Sequence, residues 1–230
     1  MVMKKVLLIV MVSLMALDIM AQSMDWAKLS RYERENVALR SQPDGVKVVF
    51  MGNSITEGWV EKHPAFFTDN GFVGRGISGQ TSSQMLLRFR QDVISLRPKV
   101  VVINAGTNDI AENTGPYNEV NTLGNIISMV ELAKASKIKV IMTSVLPAAQ
   151  FPWNPDVSDA AGKVERLNTA LRAYAAQHKI EYVDYYAPLV TGAEKALNPS
   201  YSLDGVHPEL SGYAVMEPLV LKAIRRYVKK

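Results

Sequence analysis

Three side chains in this sequence have the chemical types that acyl transfer needs: a hydroxyl, an imidazole and a carboxylate. Ser54 lies between glycines in Gly52-Asn53-Ser54-Ile55-Thr56-Glu57-Gly58, and His207 follows Asp204 in Asp204-Gly205-Val206-His207-Pro208. A serine hydroxyl becomes a nucleophile when a base accepts its proton, and a carboxylate can orient that base. The three-residue spacing of Asp204 and His207 allows the carboxylate to reach the imidazole.

Two further motifs offer hydrogen-bond donors for the oxyanion that forms during acyl transfer. Gly79 lies in Gly74-Arg75-Gly76-Ile77-Ser78-Gly79-Gln80-Thr81, and Asn108 lies in Gly106-Thr107-Asn108-Asp109. Glycine-dense turns before helices present backbone N–H groups to anions. A phosphate-binding loop is the rival interpretation of the first motif, but its Gly-Lys-Ser/Thr ending is missing. Each motif taken alone also fits an ordinary turn.

Composition removes several other classes of chemistry. The chain has 230 residues, no cysteine and three histidines, so thiolate nucleophiles and cysteine-based metal sites are excluded and a histidine-rich metal site is disfavoured. We interpret His63 and His178 as structural and predict no metal. A formal charge of +4 is too small to favour nucleic-acid binding.

The first residues have the features of a secretory signal. Lys4 and Lys5 precede an apolar run over residues 6–17, and Ala21 offers a small residue for cleavage. A bilayer-spanning helix needs about 20 apolar residues, so a permanent membrane anchor is the weaker alternative. We predict cleavage after Ala21, a single domain over residues 22–230, and a periplasmic or extracellular location.

Apolar runs typical of strands alternate with segments whose apolar residues return every three or four positions. This alternation predicts a three-layer α/β/α domain around a parallel sheet. The predicted strands are Val46–Met51, Phe72–Arg75, Val100–Ala105, Ile138–Val145 and Ile180–Tyr185. The helical segments are Trp26–Arg40, the stripes Leu86-Phe89-Val93-Leu96, Val120-Leu123-Ile127-Val130 and Val164-Leu167-Leu171-Tyr174, and a closing helix from Pro208 through Tyr227.

All four motifs follow predicted strands or precede the closing helix, at the edge of a parallel sheet where ligands bind. In this order they resemble the four blocks of the SGNH hydrolases, also called the GDSL family of lipases and esterases. The resemblance extends from about Val46 to Tyr213, and it is greatest to the branch of platelet-activating-factor acetylhydrolase-like proteins and bacterial acetylesterases. It implies a flavodoxin-like five-stranded sheet with the order 2-1-3-4-5.

The same resemblance implies a role for each motif residue. Ser54 is the expected nucleophile, His207 the general base and acid, and Asp204 its orienting carboxylate. The expected oxyanion donors are the backbone N–H groups of Ser54 and Gly79 and the side-chain amide of Asn108. The chain departs from the name-giving motif by Asn53 in place of aspartate and by Ile55-Thr56 in place of leucine.

These expectations describe an exported serine esterase that needs no cofactor. Short predicted loops favour a short acyl group, chiefly acetyl, and a sugar or other alcohol as the second half of the ester substrate. We predict that this second half contacts an aromatic rim formed by Trp59, Phe151, Trp153 and Tyr201. The alternatives are a lysophospholipase or thioesterase for longer acyl chains, and a non-catalytic carbohydrate- or lipid-binding protein.

Overall fold

The computed structural model describes residues 25–43 and 45–228. The predicted signal peptide and its cleavage site after Ala21 lie outside these residues. One parallel sheet is formed by Val48–Gly52 (β1), Phe72–Gly76 (β2), Val100–Ile103 (β3), Lys139–Thr143 (β4) and Glu181–Val183 (β5). Its strand order is β2-β1-β3-β4-β5, which confirms the predicted fold. Each strand begins and ends within two residues of its predicted bounds.

Nine helices connect or flank these strands in the part of the chain that the structure describes. They are Glu33–Arg40 (α1), Ser54–Lys62 (α2), Pro64–Thr68 (α3), Ser82–Asp92 (α4), Thr107–Ile110 (α5), Glu119–Ala135 (α6), Ala160–Gln177 (α7), Tyr186–Leu189 (α8) and Leu210–Ile224 (α9). A small antiparallel hairpin, Val190–Thr191 (β6) with Ala196–Leu197 (β7), was not predicted. Among the described helices, none has the length and apolar character to cross a bilayer.

The central strands are buried on both faces, and their residues alternate between two apolar cores. Val49 and Met51 of β1 point to one core, whereas Val48 and Phe50 point to the other. Successive strand residues face opposite sides, so this alternation identifies the two faces of the sheet. Helices α4, α6 and α7 cover the first face, and α2, α3 and α9 cover the second.

The start of the predicted leading helix and both ends of the predicted closing helix need correction, whereas the leading helix ends at Arg40 as predicted. The leading segment is a 3₁₀ turn over Leu29–Tyr32 followed by α1, because the Asp25 carboxylate accepts the N–H groups of Leu29 and Ser30 and begins the turn there. The closing helix α9 begins at Leu210, because Pro208 pairs with Ser202 in an isolated bridge. It ends at Ile224, before Tyr227, and it contains Pro218.

The register of the sheet places the first two motifs side by side. Gly52, the last residue of β1, pairs with Gly76, the last residue of β2. A Cβ at Gly76 would lie 2.2 Å from the backbone nitrogen of Glu57, so only glycine permits this approach. The turn that carries Ser54 and the turn that carries Gly79 therefore leave the same sheet edge as neighbours.

Candidate active site

Ser54 is the first residue of α2, directly after β1. Asn53 is the N-cap of this helix, and its side-chain Oδ1 accepts the Ile55 N–H at 3.0 Å. An N-cap bond of this kind fixes where the helix begins. Asparagine therefore fills the local structural role at the position where the motif has aspartate, and the turn holds the Ser54 hydroxyl above the sheet edge.

A hydrogen-bonded chain joins Ser54 to the loop before α9. The Ser54 Oγ lies 2.8 Å from His207 Nε2, and His207 Nδ1 lies 2.6 Å from Asp204 Oδ2. Because an ionised carboxylate only accepts hydrogen bonds, the geometry assigns the ring proton to Nδ1 and leaves Nε2 to accept the serine proton. The three residues that sequence reasoning singled out are brought together.

The Asp204 carboxylate also organises its own loop. Its Oδ1 accepts the N–H groups of Val206 at 2.9 Å and His207 at 2.8 Å, and the Ser202 hydroxyl at 3.1 Å. Partial burial by itself raises the pKa of Asp204, but the hydrogen bonds from His207 and Val206 outweigh it and lower the pKa to about 2. The carboxylate is therefore ionised at neutral pH and can accept the hydrogen bond from His207 Nδ1.

The predicted oxyanion donors lie around the same edge. Gly79 has φ +79°, a left-handed conformation that favours glycine, and its carbonyl accepts Asn113 Nδ2 at 3.0 Å. The buried Asn108 donates one Nδ2 proton to the Gln80 carbonyl at 2.9 Å, which leaves its second amide proton for another acceptor. Within the described residues, the N–H groups of Ser54 and Gly79 donate to no protein acceptor.

The four predicted rim aromatics separate into three groups. Trp153 is 44% exposed, and its ring centroid lies 5.7 Å from that of His207. Tyr201 is half-buried and packs against the core beneath α9. Trp59 and Phe151 are 2% and 0% exposed, so the prediction that they form a substrate rim is wrong. Trp59 stacks on Tyr213 inside the core, and its Nε1 donates to Glu217 at 3.1 Å.

A groove of about 550 Å³ is lined by the Gly79 turn and by Trp153. Trp26 also lines this groove; it is 50% exposed, and the sequence placed it only in the leading helix. The Gln84 side chain donates to the Trp26 carbonyl at 2.8 Å and holds this segment against the groove. Trp26 is far from the motifs in the sequence, and no sequence pattern indicates that its side chain is exposed beside them.

The other two histidines lie apart from this site. His63 connects α2 to α3 and its Nδ1 lies 2.6 Å from Glu217 Oε1, whereas His178 ends α7 and stacks on Tyr174 with 4.2 Å between ring centroids. Both positions agree with structural roles. Among the residues that the structure describes, no group of three or more His, Cys, Asp or Glu side chains could hold a metal ion.

A family model for GDSL-like lipases and acylhydrolases matches residues 50–215. The chain is 60% identical to a GDSL-like lipase of known structure from Bacteroides thetaiotaomicron, with a TM-score of 0.86 over 88% of this chain and 99% of that one. It is 28% identical to the esterase TesA of Pseudomonas aeruginosa, over 70% of this chain and 75% of that protein. An acetylxylan esterase of Xylanibacter ruminicola is 23% identical over 79% of this chain and 44% of its own length.

Proposed function

The chain belongs to the GDSL-like lipase/acylhydrolase family and is a carboxylic ester hydrolase, and from this premise we propose that it removes short acyl groups, chiefly acetyl, from carbohydrates. The observation that carries the chemistry is the hydrogen-bonded chain from Ser54 through His207 to Asp204. The Trp153 indole beside His207, and the groove that this indole lines together with the Gly79 turn, support the carbohydrate half of the substrate.

The proposed reaction has two steps. Ser54 Oγ attacks the ester carbonyl carbon while His207 Nε2 accepts the hydroxyl proton, and that proton passes to the departing alcohol oxygen. The acyl group stays on Ser54 until a water molecule, deprotonated by His207, attacks it and the acid leaves as Ser54 regains its proton. The ionised Asp204 stabilises the imidazolium in both steps.

Negative charge develops on the carbonyl oxygen in each step. The N–H groups of Ser54 and Gly79 and the free amide proton of Asn108 are the donors that we assign to it. Donors fixed before the reaction stabilise the transition state without reorganising, which is why they act mainly on kcat.

The loop that follows β4 supports a small acyl pocket. Phe151 anchors the loop in the core, and the neighbouring Trp153 is fixed by a 2.9 Å bond from its Nε1 to Asn113. The Trp153 ring also contacts the Phe151 ring, with 5.4 Å between centroids. A side chain held in this way beside His207 limits the space for a long acyl chain.

The groove that Trp153 and Trp26 line supports a sugar as the alcohol half. Its volume of about 550 Å³ exceeds what an acetyl group needs, and exposed indoles at Trp26 and Trp153 flank it. An indole offers a flat apolar face to the C–H groups of a sugar ring and remains accessible to water at its edge. The acetylxylan esterase relative is a second, weaker support for this substrate class.

Hydrolysis of p-nitrophenyl esters from acetate to palmitate tests the acyl preference. Each methylene that finds apolar surface contributes about 0.8 kcal/mol, so an enzyme for long chains gains activity with every added carbon. We expect activity to fall steeply between butyryl and octanoyl esters. Best turnover of octanoyl or palmitoyl esters would instead indicate a lysophospholipase or thioesterase.

Substitution of the two groove indoles tests the sugar half. We expect Trp153→Ala and Trp26→Ala each to raise KM for an acetylated oligosaccharide by about 10-fold, because each removes an aromatic contact of up to about 1.5 kcal/mol. The KM for p-nitrophenyl acetate should change little. Val37→Ala, at an exposed residue of α1 outside the groove, is the matched control. Equal changes in KM for both substrates would show that the groove does not bind the sugar half of the substrate.

Export remains part of the proposal, on the basis of Lys4, Lys5 and the apolar run over residues 6–17. Expression in a bacterial host followed by mass spectrometry of the periplasmic and medium fractions is the test. The expected mature chain begins at Gln22. A full-length chain confined to the cytoplasm would contradict export without affecting the proposed chemistry.

A further inference from the structure

A fully buried arginine lies beneath the candidate site. Arg88 of α4 is 0% exposed and uses each of its three nitrogens as a donor. Its Nε donates to Gln80 Oε1 at 2.5 Å, and its Nη2 donates to the Gly52 carbonyl at 2.7 Å. Its Nη1 pairs with Asp92 Oδ2 at 2.9 Å.

These contacts join the segments that hold the proposed oxyanion donors. Gly52 lies two residues before Ser54, and Gln80 directly follows Gly79. The Gln80 carbonyl also accepts the amide of Asn108, so the same residue contacts the third donor. One guanidinium therefore fixes the relative positions of two turns, and through Gln80 it also fixes Asn108.

The cost of burying this charge argues against a role in stability alone. Burial lowers the pKa of Arg88, and the buried Asp92 carboxylate opposes that effect. Buried ion pairs are often no more stabilising than apolar residues of similar volume, because desolvation offsets the attraction. What a guanidinium provides that an apolar side chain lacks is a rigid fork of donors with fixed directions.

We propose that Arg88 and the Gln80 side chain are positioning residues for the oxyanion hole. They act by holding the Gly52 and Gln80 carbonyls, and neither is assigned contact with the substrate. The inference rests on the proposed function, because it takes Ser54, Gly79 and Asn108 as the oxyanion donors.

The other end of this buried network supplies a matched control. Asp92 Oδ1 accepts Asn36 Nδ2 at 2.6 Å, and Asn36 Oδ1 accepts Arg75 Nε at 3.0 Å. Asn36 is as buried as Arg88, and its side-chain hydrogen bonds, to Asp92 and Arg75, involve none of the three proposed donors. A substitution at Asn36 therefore disturbs the same network without touching the turns of the site.

The experiment compares Gln80→Leu, Arg88→Lys and Asn36→Ala by steady-state kinetics on p-nitrophenyl acetate and by thermal unfolding. We expect Gln80→Leu and Arg88→Lys to lower kcat by about 10- to 100-fold, with little change in KM, because small displacements of catalytic donors have effects of this size. Asn36→Ala should lower Tm without lowering kcat. If Arg88→Lys does not fold, Gln80→Leu with Asn36→Ala decides the question.

Inhibition by phenylboronic acid gives a readout that a general loss of stability would not produce. Its tetrahedral serine adduct places an oxygen where the oxyanion forms, so its Ki should rise in proportion to the fall in kcat. In the double variant Gln80→Leu with Asn108→Ala, the fold-decrease in kcat should be smaller than the product of the fold-decreases in the two single variants.

Three outcomes overturn the inference: full kcat in Gln80→Leu, a comparable loss of kcat in Asn36→Ala, or multiplicative losses in the double variant. The single variant Asn108→Ala separates this failure from that of the proposed function. If Asn108→Ala also retains full kcat, the oxyanion assignment itself is wrong. If only Asn108→Ala lowers kcat, the oxyanion assignment stands and the positioning role is wrong.

Discussion

The two halves of the candidate site are held in place by different kinds of contact. On the histidine side, Asp204 Oδ1 accepts N–H groups two and three residues further along the chain. On the oxyanion side, the bonds from Asn108 to Gln80 and from Arg88 to Gly52 span 28 and 36 residues. The Asp204 side chain is exposed and His207 is half-buried, whereas Gln80, Arg88 and Asn108 on the oxyanion side are buried.

This difference predicts how each half responds to substitution. A loop closed by its own short-range bonds can form whenever its few residues are present, and water can replace part of its polar contacts. Buried long-range bonds exist only when the sheet and helices have assembled, and a lost partner leaves a buried polar group unsatisfied. Changes on the oxyanion side should therefore affect both folding and kcat, and changes on the histidine side should affect mainly activity.

Loss of the hydrogen bond between Ser54 and His207, which joins the two halves, should have the largest effect on activity. Ser54→Ala and His207→Ala should each lower kcat/KM for p-nitrophenyl acetate by about 10⁴-fold or more, because the proton passes directly between them. The double variant should be little worse than either single variant. Independent losses that multiply would show that the two residues do not share a step.

Asn108→Ala should have the next largest effect on activity. Loss of one oxyanion donor lowers kcat by about 10²-fold with a smaller change in KM. The same substitution also removes a buried bond to Gln80, so Tm should fall as well. A change in KM alone would instead indicate that Asn108 binds the ground state.

Asp204→Asn should reduce activity less than His207→Ala, because the imidazole remains available in a less favourable tautomer or orientation. Parallel kinetics on both variants at neutral pH make the comparison. A loss equal to that of His207→Ala would mean that the exposed carboxylate is as indispensable as the base.

The smallest expected effect is the dependence of stability on pH. Folding lowers the pKa of Asp204 from 3.8 to about 2, so its ionised form stabilises the fold above pH about 4. That stabilisation is lost as pH falls through about 2. The difference in Tm between the parent chain and Asp204→Asn should therefore narrow over this interval. A difference that stays constant would mean that Asp204 has the same pKa in the folded and unfolded chains.

Local sequence patterns were sufficient to predict much of the fold and part of the site. Strand positions follow from apolar runs because a strand buried on both faces needs apolar residues at every position. The pairing of Asp204 with His207 follows from three residues of spacing, since contacts over that distance depend on few backbone angles. The start of α9 could not be predicted in this way, because the bridge between Ser202 and Pro208 moves it to Leu210.

Sequence alone determined the element order and the motif residues that reach one edge of the sheet. The packing of the folded chain determines which aromatic side chains face solvent: Trp59 and Phe151 are buried, whereas Trp26 and Trp153 line the groove. It also decided that Arg88 of an amphipathic helix lies beneath the site. The physical reason is that burial depends on which distant segments pack together, and residue type and periodicity do not carry that information.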